Sequence, residues 1–155
     1  MPDSLQVQIE DAIVTTIRSL ALSSMASENV ARQLVPLYRD VSPASLPAVR
    51  VGPGGSEKID PRQGTNAADD VGYPVLVVLL DRANQDLSAG VNGDRWLRWR
   101  EQIVQAFHHK RLAGVAAVFE CLVEPREIVT PSAWLQQNLW TSPLVICCRA
   151  RRSRE

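Results

Sequence analysis

Eight residues run without a polar interruption from Tyr73 to Leu80 (Tyr-Pro-Val-Leu-Val-Val-Leu-Leu), and a charged pair, Asp81-Arg82, stops them. A strand with one wet face alternates apolar and polar side chains. This run does not, so both of its faces need cover. Its β-branched and Leu content suits a central strand, covered by helices on one face and by something else, such as a neighbouring subunit, on the other. A polar, Gly-containing loop over 84–93 follows, and Asp94 is the expected N-cap of a helix running to about Lys110. Trp96, Trp99, Ile103 and Phe107 fall on one stripe of that helix, while Arg95, Arg98, Gln102 and Gln105 face elsewhere. Two tryptophans a turn apart could form a stacking platform for bases. Their 3, 4, 4 spacing with Ile103 and Phe107 is that of a core face, which is the stronger reading.

The rest of the chain adds elements around this unit. An N-terminal helix is expected over Ser4–Leu22, capped by Asp3 or Ser4, with Leu5, Ile9, Ile13, Ile17 and Leu20 recurring every three or four residues. Ser27 could start one further short turn. Pro36, Pro43 and Pro47 then argue against regular structure. Ala48–Val51 is a brief strand candidate. From about 53 to 72 the sequence is polar, without a hydrophobic period, and reads as a long projecting loop: a mobile tip, or an arm that orders against a partner chain. Val118–Val123 and Leu144–Cys148 are strand candidates, with 128–130 a possible short continuation of the first. Pro131–Gln137 between them reads as a helical turn or bulged loop. The order α-β-β-α-β-β implies a single α+β domain over 1–155, a mostly antiparallel sheet with two main helices on one face.

Bulk properties exclude several classes. The chain has 155 residues, 45% hydrophobic and 22% charged, with 17 basic and 17 acidic residues, so no global field attracts nucleic acid or an anionic membrane. No apolar run reaches the roughly 18–20 residues needed to span a bilayer, so no membrane partner is expected. The N-terminal Met-Pro-Asp-Ser lacks the basic-then-apolar order of a secretory signal. Three cysteines, two of them adjacent, make a poor disulfide framework and suggest a reducing cytoplasm, which an assembled particle could later leave.

Candidate chemistry is thin. His108 and His109 are neighbours on the expected helix, about 100° apart, and cannot chelate one ion together. Cys147 and Cys148 should point to opposite faces of a strand and read as small core hydrophobes. Cys121 could act as a nucleophile only with a base brought in by folding. Gly52-Pro-Gly-Gly-Ser lacks the Gly-Lys-Ser/Thr ending of a phosphate loop. Asp69-Asp70 reads as a solvated turn. No catalytic residue, cofactor, metal or small-molecule substrate is expected.

Four arginines lie in the last seven residues, so 149–155 reads as a basic extension. Arg149, Arg151 and Arg152 could contact phosphates, pair with an acidic surface of another protein, or fray in solvent. Strand alternation would place Arg149 and Arg151 on one face and Arg152 on the other, a pattern that guards a sheet edge.

The helix Ser4–Leu22, the strand Tyr73–Asp81, the helix segment Trp-Leu-Arg-Trp-Arg-Glu-Gln-Ile-Val-Gln-Ala-Phe (Trp96 to Phe107) and closing strands through Val123 and Arg149 form a layout that covers most of the chain. It resembles the tail terminator (tail completion) and related head–tail joining proteins of tailed bacteriophages. The resemblance is one of layout, length and helix pattern. It implies a structural virion protein made in the host cytoplasm and located at the tail–neck junction. It also implies a homo-hexameric ring that caps the tail tube, meets neck or connector proteins, and has no enzymatic role. It carries over no functional residue. Exposed aromatic residues would mark subunit contacts, which makes Trp134 and Trp140 candidates, along with Lys58, Arg62, Asp69 and Asp70 on the long loop. The alternative is a nucleic-acid-binding module using the C-terminal arginines. A small enzyme built around Cys121 or His108 comes last.

Overall fold

Ser4 starts the first helix: its Oγ accepts a hydrogen bond from the Val7 amide at 3.3 Å, satisfying a donor the helix cannot use itself. This computed structural model describes residues 3–34, 43–65, 67–83, 90–133 and 138–154, and only the backbone of 43, 60–63 and 90–92. Helix α1 spans Leu5–Ser19 and stops short of Leu22, because Ala21 turns left-handed at φ 47°. Arg18 in its last turn donates to the carbonyls of Ser27 and Val30, which ties the helix to a short strand, β1 (Val30–Arg32). Helix α2 spans Gly90–Phe107. It begins four residues before Asp94, so Asp94 is not its N-cap, and it ends before the two histidines, where His109 takes φ 56°.

Among the described residues the sheet has six strands, and the domain is α+β. Besides β1 they are β2 (Ala48–Pro53), β3 (Lys58–Thr65), β4 (Ala68–Arg82), β5 (Val118–Pro125) and β6 (Leu139–Ser153). The order is β1-β2-β4-β6-β5, with β3 also on β4; only the β1–β2 pairing is parallel. Two strands therefore join the expected set. The loop expected over 53–72 is instead β3 and the start of β4, an antiparallel hairpin. The basic extension expected at 149–155 is strand as far as Ser153.

Prolines explain the breaks. In an antiparallel strand the N–H and C=O of one residue point to the same side. The Pro74 carbonyl accepts from the Gly54 amide at 2.9 Å, so its missing N–H lies on the side where β2 has ended and β3 has not begun. Gly54 must be glycine there, since a Cβ would stand 2.8 Å from the Leu76 backbone nitrogen. Pro143 repeats the device on β6. Its carbonyl faces Arg100, past the point where β5 stops pairing. In β3 a bulge between Ile59 and Gly64 accommodates Pro61 at the sheet edge.

Alternation then sorts the two faces. Val71, Tyr73, Val75, Val77 and Leu79 of β4 and Trp140, Leu144, Ile146, Cys148 and Ala150 of β6 share one core with Ile9, Ile13 and Ile17 of α1 and with Trp96, Trp99, Ile103 and Phe107 of α2. Both helices thus cover one face, and the helix stripe read from sequence is core. On the other face a small cluster of Ala48, Val78 and Leu80 packs with Leu46 and Leu76.

Candidate assembly surface

Val71 and Ala150 are the last core residues along β4 and β6, yet both strands continue beyond them. The continuation, 68–70 with 151–153, carries β3 on its free side and forms a three-stranded arm. Its register sets Asp70 opposite Arg151 and Asp69 opposite Arg152. Arg151 binds Asp70 through two bonds, Nε to Oδ1 at 2.9 Å and a terminal nitrogen to Oδ2 at 3.3 Å. Arg154 grips Asp69 at 2.6 Å, Arg152 approaches Glu57 at 3.5 Å, and Arg149 reaches Glu120 on β5 at 2.9 Å. Phe119 lies under the guanidinium groups of both Arg149 and Arg151, at 5.3 and 5.9 Å.

The electrostatics follow. The hydrogen bond from Arg151 holds the Asp70 carboxyl below its ordinary range, and Asp70 in return raises Arg151. Glu120 is lowered first by its bond with His109, then by Arg149. With Lys58 at 3.8 Å and Arg126 at 3.9 Å both meeting Glu124, each of these cations has a carboxylate of this chain beside it. The arginines that suggested phosphate contacts each meet a carboxylate of this chain.

The opposite sheet face carries a second feature. Gly72 leaves room for the Lys58 stem to cross it towards Glu124; a Cβ there would stand 3.1 Å from the Cys147 sulfur. Next to this crossing lies an open depression of about 560 Å³, floored by Leu76, Pro143 and Val145 and walled by Gly54 and residues 125–127. The wall is held by Arg100, which is 8% exposed. Arg100 donates to the Arg126 carbonyl (2.6 Å), Ser142 Oγ (2.7 Å) and the Pro143 carbonyl (3.0 Å), and burial lowers its pKa. Ile128 and Val129, just past the wall, are exposed.

The β5 edge, by contrast, is closed. The Cys121 amide donates to the Lys110 carbonyl (2.7 Å), the Val123 amide donates to Nδ1 of His108 (3.1 Å), and the next outward position is Pro125, which has no donor. His108 thus serves the edge strand, and Cys121 is fully buried.

Of the sequence candidates, Lys58, Asp69, Asp70, Arg149, Arg151 and Arg152 come together on and around the arm. The side chain of Arg62 and the whole of Trp134 lie outside the described residues. Trp140 is corrected: at 1% exposure it is core, stacked on Trp96 at 4.8 Å, and offers nothing to a partner. Trp96 in turn donates through Nε1 to Asp81 at 2.7 Å, which also binds Arg95 at 3.0 Å. Sequence reading missed Glu57, Glu120, Glu124, Phe119 and Arg100. Only an expected β3–β4 hairpin, extended across β6, could have flagged the carboxylates. Among the described residues no group of three His, Cys, Asp or Glu side chains could hold a metal, and no helix is long and apolar enough to cross a membrane. No family model matches the chain, and a comparison with curated proteins finds no match.

Proposed function

We propose that the protein is a structural component of a tailed-phage virion, a tail terminator or head–tail joining subunit that closes into a ring at the end of the tail tube. The observation that supports this most is the pairing of β4 and β6 along 15 residues each, in a chain of only 155. Strands usually run about 5–6 residues. The surplus builds an arm whose described side chains lie outside the core and whose arginines pair with carboxylates of this chain. A projecting, self-paired element with a separate apolar depression on the same molecule suits a head-to-tail contact, in which two different patches meet and repeat until the ring closes.

The test is the mass in solution across a concentration series, by light scattering or native mass spectrometry, with negative-stain imaging of the largest species. Closed rings of one size support the reading. Removing 56–69 takes away β3 and the tip of β4 but no buried core residue among those described, so the shortened chain should fold and fail to close rings. A wild-type chain that stays monomeric at every concentration, and also when mixed with tail tubes, overturns the proposal.

A further inference from the structure

Cys121 on β5 and Cys148 on β6 stand directly opposite each other, with their sulfurs 3.4 Å apart in the main core. Both backbone groups of Cys121 face away from β6: its amide donates to the Lys110 carbonyl and its carbonyl accepts from the His109 amide. The two cysteines are therefore a non-hydrogen-bonded pair, the closer of the two kinds of antiparallel pair, with Cα atoms about 4.5 Å apart. That separation falls within the roughly 4.4–6.8 Å range that a disulfide can span. The third cysteine is excluded by the pleat. Cys147 points to the opposite face, beneath Gly72.

We propose that Cys121 and Cys148 form a redox-modification site, a cross-strand disulfide that closes with hydrogen peroxide as oxidant and staples the edge strand β5 to β6. The inference is independent of the assembly reading. Either sulfur can donate in the bond they share; that bond lowers the Cys121 thiol, while the bond and burial push Cys148 up, which makes Cys121 the thiolate of the pair. Local opening of β5 gives access to the pair, and peroxide is scarcely larger than water. The Cys121 thiolate attacks one peroxide oxygen, the O–O bond breaks, and the departing hydroxide takes a proton to become water, leaving a sulfenic acid. The Cys148 sulfur then attacks the sulfenic sulfur. The S–S bond forms, the S–O bond breaks, and the second oxygen leaves as water with the Cys148 proton. Two electrons pass from the thiols to peroxide. A reducing thiol pool keeps the pair open, and the bond closes once that pool is left behind.

The experiment treats the folded, full-length protein with hydrogen peroxide, quenches it in denaturant with a thiol-trapping reagent, and maps the peptides by mass. The expected result is a fall from three free thiols to one, with loss of two hydrogen masses and a single 121–148 link. Cys147→Ser should still form that link, and Cys121→Ser should not. The wild-type map stands alone if either variant fails to fold. Three thiols retained, sulfinic acid at Cys121 without a link, a link through Cys147, or a covalent dimer would each overturn the proposal.

Discussion

The same two strands, β4 and β6, pass through two kinds of environment without a change of register. Over 71–81 and 140–150 their inward side chains are buried under two helices, and the pairing is held by packing. Over 68–70 and 151–153 no helix covers them, and cross-strand Asp–Arg pairs take over. Packing stabilises whatever side chains are apolar and fit, whereas exposed ion pairs contribute little energy but tolerate only one register and one pairing of signs. The packed half therefore sets the stability of the fold, and the arm is an extension whose geometry is specified at small energetic cost.

Substitution in the packed half should have the largest effect. Trp140 is buried, stacked on Trp96 and tilted against Trp99 at 6.5 Å, so Trp140→Ala should cost about 3–5 kcal/mol in chemical denaturation. A loss below about 1 kcal/mol would mean that this end of β6 is not part of the cooperative core. Arg100→Met comes next. It keeps the stem but leaves Ser142 Oγ and the carbonyls of Arg126 and Pro143 without their donor, for a loss of about 1–3 kcal/mol. Amide exchange should rise at 126–130, because Arg100 holds that segment, and stay unchanged in α1.

The same division decides what could be read from the sequence. Tyr73–Leu80 and the Trp96–Phe107 stripe announce themselves because burial is written locally; Tyr73, Val75, Val77 and Leu79 join the stripe in the main core, and Val78 and Leu80 pack on the other face. Arm pairing leaves no such local mark. Lys58–Thr65 has no alternation and contains Pro61; it is a strand because β4 offers it an edge. Arg151 is separated from Asp70 by 81 residues, so neither residue betrays the other. Trp140 misleads for the opposite reason. It sits among Gln, Asn, Thr and Ser, a polar context that reads as surface, and is buried only because α2 brings Trp96 and Trp99 onto it.

Acid should separate the two halves without denaturant. Asp70 and Glu120 have folded pKa values below their ordinary 3.8 and 4.5. Their stabilising contribution is complete above those ordinary values and is lost as the pH falls through the folded ones. Below about pH 4, amide exchange after correction for intrinsic rate should rise at 68–72 and 149–153 before it rises in α2. Simultaneous loss of protection in both regions would show that the arm and the helix-covered half unfold as one unit.

The smallest effect on stability, and the most direct reading of the arm's charge, is expected from Asp69→Asn with Asp70→Asn. Both positions are at the margin of the core, so the midpoint of global unfolding should barely move. The local field, however, should turn positive. Arg151 and Arg154 lose the carboxylates that now hold them at 2.9 and 2.6 Å, and the cluster loses two negative charges. The variant should therefore gain weak binding to a polyanion such as heparin, falling steeply as salt rises from 50 to 200 mM, while the wild type shows none. Equal binding by both would mean that the carboxylates do not neutralise the arginines in solution. The contacts seen here would then be too loose to fix the arm's surface as uncharged, and the phosphate-contact reading of Arg149, Arg151 and Arg152 would regain its footing.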